Sequence, residues 1–324
     1  MRHKIKVSMV IVIGSVLLAF LPRATAAEPA FSVGFIQGST TAVPVSIIKR
    51  LELDKKHGLN METKQFGDPD SINDAFVLKR LTFQPGLDVL VGGNNKIKSG
   101  YGLAIFPTFK ATNKLVVRAD SPLRSVAELR GKRIAVMSTG GEFLVLKWIM
   151  RTEHGIDLLK DVDPRSVPPP VALQLLTQGE VAAALVFEPA VSRALFGGKG
   201  RVLWDIQQEW QKRKGQPLWF SAIHVDDSFA RTYPDTVKRY LRAYSEAVDY
   251  INKNPAATYQ SYKDSFKITD EADFQLLLKN LSDILTTKWD DKVIGSIKEY
   301  MRIAVEEKLM PRVADELFSK DFAP

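Results

Sequence analysis

The chain has 324 residues, 45% of them hydrophobic and 25% charged, with a formal net charge of +8. That is a globular composition, long enough for one large or two medium domains. It contains no cysteine. A disulfide scaffold, a thiol nucleophile, a thiolate metal site and a lipid-modified cysteine are therefore excluded. Arg2, Lys4, Lys6 and Arg23 fall within the first 26 residues, which hold no acid, so the remainder carries only +4. This mild excess is not the basic footprint of a nucleic-acid binder.

Residues 1–26 read as a secretory signal. A basic start precedes the mostly apolar run Val7 to Leu21, which is short for a membrane span, and Ala24-Thr25-Ala26 matches a cleavage site. Cleavage is expected after Ala26 or Ala27. With no cysteine to carry a lipid, the product is expected free in the periplasm.

In the mature chain, strands are predicted at Phe31–Ile36, Leu59–Phe66 and Leu87–Val91. Helices are predicted from Pro44 to Lys56 and from Asp68 to Lys79, the second capped by Asp68 with Pro69 in its first turn. This alternation argues for a parallel sheet with right-handed crossovers. Gly92-Gly93-Asn94-Asn95 is read as the loop after the third strand.

Lys114–Arg118 is a further strand that leaves the first unit. Ser125 and Glu128 have the S-x-x-E spacing of a capping box, and Gly131 suits a left-handed helix end. A buried strand at Arg133–Met137 then runs into Ser138-Thr139-Gly140-Gly141 and a helix from Glu142 to Glu153. A helix start of that kind offers backbone N–H groups to an anion or a polar head. A strand at Val162–Val167, a helix at Pro170–Gln178 ended by Gly179, and a strand at Val181–Phe187 follow. Glu188-Pro189 opens another helix, and Pro217–Val225 is a return strand. Gly197–Gly200 and the polar run Gln207–Gln216 are expected to be mobile. The remainder is mostly helical, with Val237, Tyr240, Leu241, Tyr244, Val248 and Ile251 forming one apolar stripe.

The block from Ser121 to Gly141, together with Pro168–Leu195, resembles the periplasmic substrate-binding proteins of ABC importers. The resemblance is to the group that captures nitrate, sulfonates, taurine and thiamine pyrimidines. It implies an α/β, two-lobed type II periplasmic binding protein-like fold, with each lobe a mostly parallel sheet flanked by helices and the ligand cleft between them. Lobe one would be residues 28–119 and 218–324; lobe two would be 120–217. The expected function is capture of a small polar or anionic organic molecule, such as a sulfonate, a taurine-like compound or a nitrogen heterocycle, by hinge closure. The expected partners are that ligand and an inner-membrane ABC permease with its ATPase, with no nucleic acid, and the protein is expected to be a monomer. An enzyme or a sensor-partner protein on the same scaffold is the alternative. The fungal pyrimidine synthases of this fold use a cysteine-rich motif, which this chain lacks, and no enzymatic activity is expected.

Ligands of open α/β sheets bind beyond the carboxyl ends of the strands. The candidate ligand-binding residues are therefore Ser39, Thr40 and Thr41; Gly93 and Asn94; Ser138, Thr139, Gly140 and Gly141; and Phe187 and Glu188. Hydroxyl residues there could equally be plain helix caps, and the glycines plain turn residues. Glu188 could be a helix-start carboxylate, or an acceptor for an N–H group on the ligand. Phe187-Glu188-Pro189 stands where the resembling family often has Trp-Glu-Pro or Trp-Asp-Pro. Asn94-Asn95-Lys96 departs from the small or apolar residues expected there. The histidines, His3, His57, His154 and His224, have no metal-ligand spacing, and no cofactor or metal is expected.

Overall fold

A computed structural model describes residues 28–324, except 37, 38, 139, 266, 267, 283 and 324. The signal segment 1–26 and the candidate Thr139 lie outside the described residues. The first unit runs β1 (Ala30–Ile36), α1 (Ala42–Arg50), α2 (Leu53–Lys56), β2 (Asn60–Phe66), α3 (Pro69–Val77), β3 (Phe83–Asp88), α4 (Val89–Ser99) and β4 (Leu103–Pro107). The second runs β5 (Lys114–Arg118), β6 (Arg133–Val136), α5 (Gly141–His154), β7 (Asp163–Ser166), α6 (Pro169–Gln178), β8 (Ala183–Val186), α7 (Ala190–Leu195), β9 (Gly200–Asp205) and α8 (Ile206–Lys214). The chain then returns through β10 (Ser221–Val225) to α9 (Asp227–Thr232), α10 (Pro234–Lys253), α11 (Pro255–Ser265), α12 (Glu271–Leu281) and α13 (Asp291–Glu306).

These strands form two five-stranded sheets, ordered β2-β1-β3-β10-β4 and β7-β6-β8-β5-β9. The two orders are the same pattern twice. Each sheet has three parallel strands and then one antiparallel strand, β10 in the first and β5 in the second. Those antiparallel strands are where the chain changes lobe. β5 pairs on both sides within the second sheet, so the first crossing falls between Pro107 and Lys114, earlier than the 119/120 boundary expected from sequence.

Local chemistry explains the elements. Asp68 accepts the Ser71 N–H at 2.8 Å and Pro69 opens α3, as its sequence predicts. Gly179 ends α6 with a φ of 75°. The helix predicted over Pro44–Lys56 is broken into α1 and α2 by Glu52, which sits at a φ of 52°. Ser125 and Glu128 do not make the reciprocal capping box; the Ser125 hydroxyl bonds the Glu128 carboxylate at 3.2 Å over a short 3-10 turn, Val126–Leu129. The apolar stripe of α10 is buried in the main core, as its period requires.

Three segments depart from the sequence reading. The third strand ends at Asp88, and Gly92–Asn95 lie inside α4, because Asp88 caps a helix there by accepting the Leu90 N–H at 2.7 Å. Gln207–Lys214 is helix and not a loose polar run. Asp205 accepts the Gln207 and Gln208 N–H groups, and Trp210 is fully buried beneath it. The C-terminal helices do not belong to lobe one alone. α13 packs on α4 and on α5, and α12 packs on α7. Trp148 and Arg151 of α5 bond Glu306, the last residue of α13, and Glu307 just after it, at 3.1 and 2.6 Å. Asn280 of α12 donates to the Ser192 hydroxyl of α7 at 3.0 Å. Among the described residues, no helix is long and apolar enough to cross a membrane.

Candidate ligand cleft

Four strand-to-helix turns carry the candidate residues' chemistry: β1–α1, β3–α4, β6–α5 and β8–α7. At β1–α1, the Ser39 hydroxyl donates to the Ile36 carbonyl at 2.7 Å and lies 2.7 Å from the Thr41 hydroxyl. The Thr41 methyl packs so closely on Gly86 that a Cβ there would collide with it. Thr40 is buried, and the Tyr262 hydroxyl of α11 donates to the Ser39 carbonyl at 2.8 Å. These contacts tie the turn down while leaving hydroxyl oxygens at its edge.

At β3–α4, Gly93 and Asn94 are not turn residues. Gly93 faces the side chains of Met310, Met301 and Ala314, and Asn94 donates to the Leu309 carbonyl at 3.1 Å. Gly92 lies against His224, whose imidazole is fully buried and pushed down to about 4 by burial. These glycines bring α4 close to β10 and α13, which is a packing role. The residue that does stand at this turn is Asp88.

At β6–α5, Ser138 is exposed and its hydroxyl bonds Ser166 at 2.8 Å. Gly140 and Gly141 form the helix start, but the expected anion position is already occupied by a carboxylate. The Glu142 side chain folds back over Gly140, inside the space a Cβ there would need. Glu142 is buried, and burial first, with the Asp88 carboxylate as a further cause, pushes it up to about 7; its own backbone N–H opposes the shift. Asp88 is likewise pushed up to about 7 by burial, opposed by the Leu90 N–H and the Tyr300 hydroxyl. Tyr300 of α13 packs edge-on to Phe220, with ring centroids 5.0 Å apart, and its hydroxyl abuts Gly141.

At β8–α7, Glu188 is 1% exposed. Its Oε2 accepts the Ser192 N–H at 3.1 Å, and its own N–H donates to the Thr112 hydroxyl at 3.2 Å. Its Oε1 has no hydrogen-bond partner. Burial pushes this carboxyl up to about 7, against the pull of Ser192, Lys114 and Asn280. Glu188 lines a cavity of about 610 Å³ with Lys110, Thr112, Lys114, Asp205 and Asn280 among its walls. Lys114 is ion-paired to Asp205 there. Of the described candidates, Glu188 alone lines this cavity; Phe187 is half-buried beside it. Among the described residues, no group of three His, Asp or Glu side chains is placed to hold a metal ion.

Sequence reasoning therefore missed Asp88, Glu142 and Tyr300. Asp88 was hidden by the apolar Leu87–Val91 run, although an aspartate ahead of a helix is a cap signal. Glu142 is marked in the sequence only as the first residue of a predicted helix. Nothing local marks Tyr300, which arrives from the other end of the chain.

No curated protein matches this sequence. Solved structures match nearly the whole chain at low identity. The alkanesulfonate-binding protein SsuA of Xanthomonas axonopodis pv. citri, bound to MOPS, is 16% identical with a TM-score of 0.73, covering 91% of this chain and 99% of that one. The periplasmic aliphatic sulphonate-binding protein SsuA of Escherichia coli is 18% identical with a TM-score of 0.72, covering 89% and 91%. The periplasmic nitrate-binding protein NrtA of Synechocystis PCC 6803 is 14% identical with a TM-score of 0.67, covering 91% and 87%. These likenesses establish the two-lobed binding-protein fold. The model of the NMT1-like family matches residues 98–262, half of the sequence, and the chain belongs to that family.

Proposed function

We propose that the protein is the periplasmic solute-binding component of an ABC uptake system. It captures a small polar organic solute between its lobes and presents it to an inner-membrane permease with its ATPase. One lobe is built on residues 28–107 and 218–225, the other on 114–217, with the C-terminal helices packing on both. The observation that supports this reading is the paired sheet pattern: each sheet has a set of parallel strands whose carboxyl ends lead into helix starts, the place where open α/β sheets take ligands. Two chain crossings at β4–β5 and in the segment before β10 supply a hinge. The solute-facing residues on this reading are Ser39, Thr41, the Ser138–Gly141 turn and Glu188, with Oε1 of Glu188 accepting an N–H from the solute. A binding role, and not catalysis, is in keeping with the sulfonate- and nitrate-binding proteins whose fold this chain shares.

Residues 1–26 are the export signal on this reading, and the mature N-terminus follows Ala26 or Ala27. Mass spectrometry of a periplasmic extract checks that; the intact chain in the membrane pellet contradicts it. The function itself is tested by calorimetric titration with a panel of sulfonates, nitrate, taurine and aminopyrimidines. Saturable binding of one class supports the proposal, and no heat from any of them contradicts it.

A further inference from the structure

α4 and α5 both pack on α13, and an acid stands at the start of each. Asp88 ends β3 in the first sheet, and Glu142 opens α5 behind β6 in the second. Neither faces a cation among the described residues; each is held by backbone N–H groups and by burial. Tyr300 of α13 completes the group. Its hydroxyl is fully buried, lies against Gly141 and interacts with the Asp88 carboxyl. Glu142 Oε1 is likewise buried and without a partner. Three cations of α5 and α8 are paired farther along the helices: Lys147 and Arg151 with Glu307, and Lys214 with Glu299.

Resting on the solute-binding reading above, we infer that the solute this cleft takes carries an organic cation with at least two N–H donors, an ammonium or amidinium group. Asp88 and Glu142 would grip it from opposite lobes, with the Tyr300 hydroxyl beside it. The physical argument is one of charge balance. A buried carboxylate, Glu142, and a half-buried one, Asp88, cannot both stay ionised side by side without a positive charge between them. Without the solute that charge is a proton. A solute cation displaces the proton to solvent and supplies the N–H bonds that Oε1 of Glu142 lacks. An anion at the same helix start would meet the chain's own carboxylates and could bind only by adding protons to them. The two classes therefore differ in the sign of their pH dependence.

The test is thermal-shift and calorimetric titration with methylguanidine and propylamine against ethanesulfonate and nitrate. Wild type is compared with Asp88→Asn and Glu142→Gln, both of which keep the side-chain shape. The expected result is that the cations bind wild type and tighten by about tenfold between about pH 6 and about pH 8, with one proton released. Either substitution should weaken them by about tenfold or more and flatten the pH dependence. Sulfonate or nitrate binding that weakens as pH rises would overturn the inference while leaving the solute-binding reading intact. So would cation binding that both substitutions leave unchanged. Failure of every solute of either sign to bind would contradict the solute-binding reading, and this inference with it.

Discussion

Glu142 and Glu188 stand at the ends of neighbouring strands, β6 and β8, at the start of the helix that follows each. Burial raises both carboxyls to about 7. Their surroundings are otherwise opposite. Glu188 has Ser192, Asn280 and Lys114 around it and keeps one oxygen for a cavity. Glu142 has its own backbone N–H, a second acid across the lobe junction, and a tyrosine hydroxyl. The same residue type at the same kind of turn is thus a supported hydrogen-bond acceptor in one place and an uncompensated charge in the other. The neighbours, and not the helix start, decide which.

The largest effect should come from disturbing the packing that creates the Glu142 side of this contrast. A Cβ at Gly141 would run into the Tyr300 hydroxyl, so Gly141→Ala should cost about 3 kcal/mol of stability, the upper range for overpacking. Tyr300→Phe in the same chain should recover part of that loss. Denaturant melts of the single and double variants read the coupling; additive effects would mean that the two residues do not press on each other.

Glu188→Gln sharpens the other side. It should weaken solute binding by roughly 1.5–3 kcal/mol if Oε1 accepts a hydrogen bond from the solute, with no fall in melting temperature. Unchanged affinity in titration calorimetry would leave Glu188 as a helix-start residue only.

Glu142→Gln should do the reverse at alkaline pH and stabilise the fold. The raised carboxyls of Asp88, Glu142 and Glu188 hold protons in the folded protein where the unfolded chain has lost them. The folded state therefore binds more protons between about pH 4 and about pH 7, and this contribution to stability falls as pH rises through that window. The variant lacks one such group, so it should gain on the order of 2 kcal/mol over wild type near pH 8, and nothing near pH 4. His224, pushed down to about 4, acts with the opposite sign: its contribution is present above its ordinary value and lost as pH falls through the folded one. Melting curves across this range separate the two, because Glu142→Gln should reduce the loss on the alkaline side and leave the acid-side loss as it is.

The smallest effect belongs to the rim of the same contact. Arg151 bonds Glu307 at 2.6 Å, but its side chain is half exposed. Arg151→Ala should cost no more than about 0.5 kcal/mol, and less in high salt. A larger loss would place the hold between α5 and α13 at the rim and not at Tyr300.

Much of this architecture was legible in the sequence because local signals agreed with it. The Asp68-Pro69 helix start, the Gly179 helix end and the period of the α10 stripe each needed no distant partner. Alternation of strand and helix similarly announced the two parallel strand sets. The failures came where a single residue outweighed composition. Asp88 ended a run that hydrophobicity alone would continue to Val91. Trp210 turned the polar stretch after Asp205 into a buried-face helix. The candidate site was half legible for the same reason. Strand-end turns could be located, and Glu188 singled out, from order along the chain. The meeting of Asp88, Glu142 and Tyr300 depends on three segments that only tertiary packing brings together. Gly93 and Asn94 fell away because their helix faces Met301, Met310 and Leu309.

The central claim is that two lobes close on a solute at these strand ends. Small-angle solution scattering of the mature protein, with and without a solute that binds in calorimetry, tests it most directly. The account predicts a smaller radius of gyration in the bound protein, as β6–α5 and β3–α4 are drawn together about the hinge at residues 107–114 and 217–221. A tight solute that leaves the scattering profile unchanged would contradict it.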